Sequence, residues 1–276
     1  MNSNITNSNI TFVTGMFHLY ESDYDTVHKT IEKRIGYFEE FALVGLNICL
    51  YTDDVYINRM KLLELKYLNV RVFNIHNIYQ TVMGKTLLEY EERNGNKIKL
   101  PKNLNALKDT REFLFAMNLK TELIKYAIEQ DCPNSNYYMW FDFSIGYIFK
   151  NRLVTFQYIK NIPMLEFNEN FVYIPGCWNK DAEKYNKLIM NDDYLINSVV
   201  WRFCGGIIFG DKTNLLNFCN IAENSFGEFL TQFNTLVWEV NYWTWIEREK
   251  KFNFVWDYRD HNDLMLILPD KILKQT

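Results

Sequence analysis

Short apolar runs alternate along the chain with longer segments in which apolar residues recur at helical spacing. Buried β-strands are predicted by the runs at residues 10–17, 47–52, 70–75 and 137–141. Residues 24–43 and 106–130 carry apolar side chains every three or four positions, which predicts amphipathic helices. The second of these helices leads directly into the strand at 137–141. Strands separated by helices of this length predict parallel pairing through right-handed crossovers.

The second half of the chain has a less regular pattern. Residues 171–174 and 199–209 predict two further strands, the latter interrupted by a pair of glycines. Residues 226–250 predict a helix, and residues 257–276 predict a closing loop. Residues 83–105 combine glycine, proline, asparagine and charged residues, which predicts a mobile loop.

Composition narrows the class of protein. The chain is 48% hydrophobic and 17% aromatic, which predicts a folded protein with a large core. No repeat, linker or change of composition divides it, so we expect one domain at residues 10–276 after a disordered lead-in at 1–9. The net charge of −4 argues against a nucleic-acid-binding protein.

The cysteines and the lengths of the apolar runs indicate the cellular compartment of the protein. Five widely spaced cysteines without a C-x-x-C pair argue against a zinc cluster and a secreted disulfide framework. The start of the chain lacks the features of a signal peptide. No apolar run approaches the ~18–20 residues that span a bilayer. We therefore expect a cytoplasmic protein without a membrane span.

The most informative motif is the aromatic run at residues 137–141, which ends on Asp142 and continues to Ser144 and Gly146. In open α/β sheets, ligands bind beyond the carboxyl ends of the strands. A carboxylate with a second oxygen ligand two residues later suits a hard divalent cation carrying a phosphorylated substrate. The alternative is an aspartate that caps a helix after an ordinary core strand.

Three other features contribute candidate site residues. Gly205 and Gly206 permit close approach of a ligand, or simply bend the strand. Glu239 lies among apolar residues, so it is either partly buried to hold sugar hydroxyls or act as a base, or solvated on its helix. His261, in a polar segment, is either a further ligand for Mn²⁺ or Mg²⁺ or a solvated histidine.

Several common motifs are absent from the sequence. It contains no G-x-G-x-x-G, no G-x-x-x-x-G-K-[ST] and no H-E-x-x-H. Ser144 and Gly146 form half of the nucleophile elbow G-x-S-x-G, but Asp142 occupies the position that this strained turn needs to be small. A serine hydrolase using Ser144 and His261 is therefore a rival interpretation with one element missing.

Taken together, these segments resemble a family of GT-A-type glycosyltransferases, the HtrL/YibB-like proteins of bacteria and large viruses. The matching pieces are residues 11–17, 49–53, 140–142, 203–210, 236–241 and 260–263. The resemblance implies an α/β, Rossmann-like GT-A fold with a mostly parallel central sheet flanked by helices. It also implies a UDP- or GDP-sugar donor, a glycan or protein acceptor, and Mn²⁺ or Mg²⁺ as cofactor. The resemblance is compatible with a homodimer and with a location in a bacterial cell, a virus-infected cell or a virion.

The resemblance also implies roles for individual residues. Asp142 stands at the first acid of a D-x-D metal motif, with His261 as the distant ligand. Ser144 replaces the second acid, so metal binding is weaker or Asp260 or Asp263 compensates. Together with the partly buried position argued for Glu239, this makes Glu239 and Asp263 the expected catalytic residues. The implied donor site comprises Thr14, Gly15, Thr52, Asp53, Trp140, Phe141, Gly205 and Gly206.

Two cations and one loop complete the expectations. Arg111 and Lys120, on the helix before Asp142, are the nearest cations by sequence that could neutralise a diphosphate, or they are solvated helix charges. Residues 83–105 are expected to order over the donor. Because Ser144 departs from the family motif, a non-catalytic protein that binds nucleotide sugars or glycans is the alternative function.

Overall fold

The computed structural model of the chain describes residues 9–20, 30–130, 134–178 and 183–274. All of the predicted lead-in except Asn9 lies outside the described residues. The first part of the helix predicted at residues 24–43 also lies outside them.

A six-stranded sheet forms the centre of the fold. Its strands are β1 (Ile10–Met16), β2 (Ile48–Thr52), β3 (Val70–Asn74), β4 (Tyr137–Phe141), β5 (Val172–Tyr173) and β6 (Ile207–Asp211). They lie in the order β3-β2-β1-β4-β6-β5, in which β1 to β4 are parallel and β6 is antiparallel to both of its neighbours. The predicted α/β class with a mostly parallel sheet is confirmed. The parallel strands place the carboxyl ends of β1 and β4 side by side.

Helices flank the sheet on both faces. The described residues form α1 (Ile31–Ala42), α2 (Ile57–Lys66), α3 (Val82–Asn94), α4 (Arg111–Asn118), α5 (Lys120–Glu129), α6 (Arg152–Asn161), α7 (Glu183–Ile189), α8 (Asp192–Asn197), α9 (Lys212–Phe233) and α10 (Glu239–Arg248). None of them is long and apolar enough to cross a membrane.

The sheet separates two apolar clusters. Helices α3, α4, α5, α9 and α10 pack on one face, and α1, α2 and α6 pack on the other. Side chains alternate along β4 as they do on any strand, so Trp140 enters the first cluster and Phe141 the second. Phe141 stacks on Phe41 of α1 with ring centroids 4.2 Å apart. The aromatic content noted in the sequence therefore fills both sides of the sheet.

The single helix predicted at residues 106–130 is wrong in its start and in its continuity. The helix begins only at Arg111, because Thr110 caps it by accepting a hydrogen bond from the Phe113 N–H at 3.1 Å. It breaks into α4 and α5 next to Asn118, whose side chain donates to the Leu114 and Val237 carbonyls at 2.8 Å each.

The helix predicted at residues 226–250 is likewise two elements. Asn234 adopts a left-handed conformation with φ of 47° and ends α9, and α10 begins at Glu239. The apolar spacing continues on both sides of this turn, which is why the pattern reads as one helix. The strand predicted at 199–209 is also wrong in its first part, since β6 begins only at Ile207.

The mobile loop predicted at residues 83–105 is wrong for its first half. Residues 83–94 belong to α3, which buries Met83 and Leu87 against the sheet-facing cluster. Glu122 of α5 accepts hydrogen bonds from the Val82 and Met83 N–H groups at 2.6 and 3.0 Å. Such a carboxylate at a helix N-terminus satisfies free N–H groups and favours the helix.

Gly176 offers a test of how tightly the strand-like segment at 174–176 is packed. Its N–H donates to the Asp257 carbonyl at 3.0 Å, and its carbonyl accepts from the Arg259 N–H at 2.7 Å. A Cβ at this position would lie 1.9 Å from Trp256 Nε1 and 2.2 Å from the Arg202 carbonyl oxygen. We expect Gly176→Ala to lower the free energy of unfolding by about 1–3 kcal/mol, measured by urea denaturation.

Gly36, inside α1, supplies the matched control. A Cβ there has no neighbour within 4 Å among the described residues, apart from the backbone of its own helix and its chain neighbours. Gly36→Ala should therefore raise the free energy of unfolding by about 0.5–1 kcal/mol through helix propensity. Equal urea midpoints for the two variants would contradict the packing described for Gly176.

Candidate active site

The site begins at the carboxyl end of β4. Asp142 follows the strand directly, and its N–H donates to the Gly206 carbonyl at 3.2 Å. Its own carbonyl accepts from the Ile145 N–H at 2.8 Å, which closes a tight turn. The backbone of Asp142 is therefore fixed on both sides, while its side chain keeps 42% of its surface exposed.

A buried lysine contacts the Asp142 side chain. Lys120 Nζ lies 2.8 Å from Asp142 Oδ1 and 2.8 Å from Glu239 Oε1, and it donates to the Gly205 carbonyl at 2.8 Å. These three acceptors match the three N–H donors of an ammonium group. We call Asp142, Lys120 and Glu239 the Lys120 triad. Lys120 is 1% exposed and Glu239 is 7% exposed, so Asp142 is the member open to solvent.

The charges of the Lys120 triad stabilise one another. Burial by itself lowers the pKa of Lys120, but the Asp142 and Glu239 carboxylates outweigh it and raise that pKa above its ordinary value. Lys120 is therefore an ammonium at neutral pH. Trp140 adds a further contact, since its Nε1 donates to Asp142 Oδ1 at 2.9 Å. Within the described part of the chain, Asp142 Oδ2 has no hydrogen-bond donor, so this oxygen is available to a ligand.

Gly205 is required by the approach of Glu239. A Cβ on Gly205 would lie 2.0 Å from Glu239 Oε1. The glycine thus allows Glu239 and the Gly205 carbonyl to reach Lys120 together. Gly206 is also buried, and a Cβ there would lie 3.2 Å from Met265 Sδ. The close approach predicted at the glycine pair is made by side chains of the protein itself, Glu239 at Gly205 and Met265 at Gly206.

A cleft extends from Asp142 along the carboxyl ends of β1 and β4. Its walls are largely aromatic, and its charged side chains among the described residues are Asp142, Arg34 and Lys108. The cleft has a cavity volume of about 170 Å³. Its other lining residues include Gly15, Met16, Phe17, Tyr20, Tyr37, Phe113, Trp140, Ser144 and Tyr147. This combination of aromatic walls and a few charges can hold a ring system that carries a charged group.

The aromatic side chains form two pairs on the cleft walls. Tyr20 and Phe113 stack with ring centroids 6.5 Å apart, and Lys108 Nζ lies 4.8 Å from the Phe113 centroid. Tyr37 and Tyr147 lie 6.5 Å apart at a tilted angle. Burial, with a smaller effect of Asp142, raises the pKa of Tyr147, so its hydroxyl stays neutral and can donate a hydrogen bond.

The predicted nucleoside-pocket residues lie in β1 and at the end of β2, and two of the four, Thr52 and Asp53, bond to the backbone through their side chains. Thr52 Oγ1 donates to the Met16 carbonyl at 2.8 Å. Asp53 accepts from the His18 N–H at 2.6 Å and from the Tyr56 N–H at 3.1 Å. Thr14 is fully buried, whereas Gly15 lines the cleft. Thr52 and Asp53 therefore position the chain that forms the cleft wall.

Arg111 and Phe141 are predicted donor residues that the structure places away from the cleft. Arg111 forms a two-point ion pair with Glu91 of α3, at 2.6 and 3.1 Å, and bonds to the Tyr79 hydroxyl. It thereby ties α4 to α3. Phe141 lies in the apolar cluster on the opposite face of the sheet. Lys120, by contrast, is placed directly against Asp142.

The two C-terminal candidates, His261 and Asp263, lie in different parts of the structure. His261 lies at the surface, with its ring centroid 5.2 Å from that of Trp201. Desolvation lowers the pKa of His261, and the Asp142 carboxylate opposes this shift. Asp263 instead accepts from the Asn151 N–H at 3.3 Å, next to the start of α6. The structure therefore does not bring Asp263 to the Lys120 triad.

The surroundings of Asp142 bear on the predicted metal site, for which Asp142, Ser144 and His261 were the expected ligands. The described residues contain no group of three or more His, Cys, Asp or Glu side chains placed to hold a metal. Asp142 Oδ1 already contacts an ammonium at 2.8 Å, and Ser144 supplies only a neutral hydroxyl. These side chains do not fit a site of three protein ligands, so Mn²⁺ or Mg²⁺ stays a prediction that binding experiments must test.

Arg34 and Lys108 line the cleft but were not among the site residues predicted from the sequence. Arg111 and Lys120 were predicted because they are the cations nearest to Asp142 along the chain. A topological signal was present, because Arg34 lies in the first turn of the helix after β1, on the side where parallel strands end. Lys108 lies in the loop before α4, and no local pattern distinguishes it from the other surface lysines.

Comparisons with known proteins place the chain in a family. Among solved structures, mouse xyloside xylosyltransferase 1 in its apo form is similar, with 10% identity and a TM-score of 0.44 over 90% of this chain and 84% of that one. The 4-diphosphocytidyl-2C-methyl-D-erythritol synthase of Anaerococcus prevotii is similar with 12% identity and a TM-score of 0.39, over 80% of this chain and 82% of that one.

The sequence comparisons are more decisive. A search of curated protein sequences gives no match. A family model described as "Bacterial protein of unknown function (HtrL_YibB)" matches residues 8–236, well over half of the chain. The protein therefore belongs to the HtrL_YibB family.

Proposed function

We propose that this protein is a glycosyltransferase that moves a sugar from a nucleotide-diphosphate sugar to a glycan or protein acceptor. The observation that carries the proposal is the Lys120 triad, which presents one free carboxylate oxygen of Asp142 to the aromatic cleft. The cleft lies beyond the carboxyl ends of β1 and β4, where open α/β sheets bind ligands.

The cleft has the parts that such a donor requires. A nucleobase is a flat ring, and the aromatic walls formed by Tyr20, Phe113 and Trp140 offer faces on which it can stack. Arg34 and Lys108 supply positive charge for the phosphates. The sugar would then lie next to Asp142, which is the exposed acid in this part of the cleft.

The proposed reaction exchanges one bond to the sugar for another. The bond between sugar C1 and the diphosphate oxygen breaks, and its electron pair stays with the diphosphate. The acceptor oxygen forms the new bond to C1, and its proton passes to Asp142 Oδ2. Lys120 keeps Asp142 oriented, and Glu239 is a positioning residue that holds Lys120. Cations beside the diphosphate stabilise the negative charge that develops on it.

We place the acceptor on the side of Trp201 and His261. Trp201 is 38% exposed, and its carbonyl accepts hydrogen bonds from the Cys177 and Trp178 N–H groups at 3.2 and 3.0 Å. An exposed aromatic ring is suited to pack against the apolar face of a sugar. Desolvation lowers the pKa of His261 and the Asp142 carboxylate opposes that shift, which supports placing the acceptor near the reacting end of the donor.

The alternative is a non-catalytic protein that binds nucleotide sugars. One observation favours it, because Asp142 Oδ1 is occupied by Lys120 and Trp140, which reduces the reactivity of the carboxylate. Turnover separates the two functions. A transferase releases nucleoside diphosphate from at least one donor, whereas the alternative protein binds the donor without release.

Asp142→Asn tests the catalytic role directly. The amide keeps the shape and can still accept the Trp140 hydrogen bond, but it cannot take a proton. We expect donor turnover to fall by about 10²–10³-fold, the range for losing one transition-state contact. Release of nucleoside diphosphate from a panel of nucleotide sugars is the measurement. Asp54→Asn, at an exposed acid that contacts His76 and Asn74, is the matched control. Unchanged turnover in Asp142→Asn would remove Asp142 from the chemistry.

Lys120→Met tests whether Lys120 is what holds the two acids together. Removing the ammonium leaves Glu239 buried without its counter-charge, which costs about 3–5 kcal/mol of unfolding free energy. The double variant Lys120→Met with Glu239→Gln should recover part of this loss, because the uncompensated charge is gone. Urea denaturation of both variants and wild type is the measurement. A double variant no more stable than Lys120→Met would contradict the pairing.

A further inference from the structure

We propose that Arg34 and Lys108 bind the diphosphate of the donor and neutralise its charge, so that donor binding does not require a divalent cation. This inference rests on the proposed function and adds the means of phosphate recognition. It assigns a role to two residues that sequence reasoning did not select.

The charged side chains that line the cleft are unequal in number. Arg34 and Lys108 line it from different elements, α1 and the loop before α4. Asp142 is the acid that lines it among the described residues, and Asp142 shares the Lys120 ammonium with Glu239. Two cations against one carboxylate give the described lining a net positive charge, which favours an anion.

These two cations lack close ion pairs with the described residues. Arg34 forms no ion pair with any described residue, and its Nη1 lies 3.9 Å from Met16 Sδ. Among the described residues, Lys108 Nζ comes no closer than 3.9 Å to a carboxylate, that of Asp109. The cations that tie separate segments of the chain together behave differently. Each lies 2.6 to 2.9 Å from a carboxylate oxygen, as shown by Arg111, Lys125 and Arg202.

Both cations line the same cleft as Asp142. Desolvation raises the pKa of Tyr147, which also lines this cleft, and Arg34 and Asp142 act on that pKa in opposite directions. A diphosphate attached to a sugar beside Asp142 would therefore face both cations.

The contacts of Asp142 bear on whether a metal is needed. In a metal-dependent site, the cation bridges carboxylates of the protein and oxygens of the phosphates. Here the Lys120 ammonium contacts Asp142 Oδ1, and Ser144 offers no second carboxylate. An arginine binds phosphate through two parallel N–H groups and a lysine as a point charge, so together they can replace the metal's charge.

Calorimetric titration with four probes tests the proposal: UDP, GDP, uridine and guanosine, each in EDTA and again with Mn²⁺. We expect one of the diphosphates to bind in EDTA with nearly the affinity that it has in Mn²⁺. Its nucleoside should bind much more weakly in both. Higher salt should weaken the diphosphate selectively, because it screens the exposed charges of Arg34 and Lys108.

Variants identify the responsible side chains. Arg34→Gln and Lys108→Gln should each weaken the diphosphate by roughly tenfold to a hundredfold, the effect of one lost charged hydrogen bond, and should leave the nucleoside unaffected. Arg34→Lys should fall in between, since it keeps the charge and loses the two-point contact. Arg59→Gln and Lys102→Gln, at exposed cations paired with Glu32 and Asp193, are the controls and should bind as wild type does. Thermal unfolding checks that each variant is folded.

The outcomes separate this proposal from the function on which it rests. Diphosphate binding that appears only with Mn²⁺ overturns the proposal and leaves the glycosyltransferase function standing. Equal losses in the cleft variants and the controls also overturn it, because the effect would then be general surface charge. If no nucleotide and no nucleotide sugar binds, with or without Mn²⁺, both this proposal and the glycosyltransferase function are overturned.

Discussion

The buried ammonium of Lys120 is the interaction on which the site depends. Removing such a charge from water costs several kcal/mol, and only close carboxylates and full hydrogen bonding offset that cost. Asp142, Glu239 and the Gly205 carbonyl supply these contacts at 2.8 Å each. They come from the end of β4, the start of α10 and the turn before β6. One charge therefore fixes the relative positions of three elements, and Gly205 is required because a side chain there would displace Glu239.

The cations of this protein divide into two kinds by their partners. Arg111, Lys125 and Arg202 each contact a carboxylate at 2.9 Å or less, and each joins elements that are distant in the sequence. Arg34 and Lys108 have no such contact with the described residues, and both line the cleft. A cation whose charge is already matched contributes to the fold, whereas an unmatched cation in a concave surface attracts anions. This distinction, and not distance from Asp142 along the chain, identifies the residues suited to hold phosphate.

The sheet explains why a site of this kind forms where it does. Parallel pairing of β1 with β4 brings the Gly15 backbone and Asp142 to one edge. The antiparallel strand β6 enters from that same edge, so the turn before it carries Gly205 and Gly206 behind Asp142. The first strands thus build the cleft, and the turn before β6 supplies the Gly205 carbonyl that contacts Lys120. Under the proposed function, this cleft is where a nucleotide-sugar donor would bind.

The sequence by itself determined the α/β class, the positions of β1 to β4, and Asp142 as an acid at a strand end. These features are local, because strand periodicity and a polar residue after an apolar run are visible within a few positions. Only the tertiary structure decided the helix breaks beside Asn118 and at Asn234, since apolar spacing is the same on both sides of a break. It also decided the Lys120 contact with Glu239, 119 positions away along the chain. Such pairs depend on how helices pack across the sheet, which no local pattern in the sequence records.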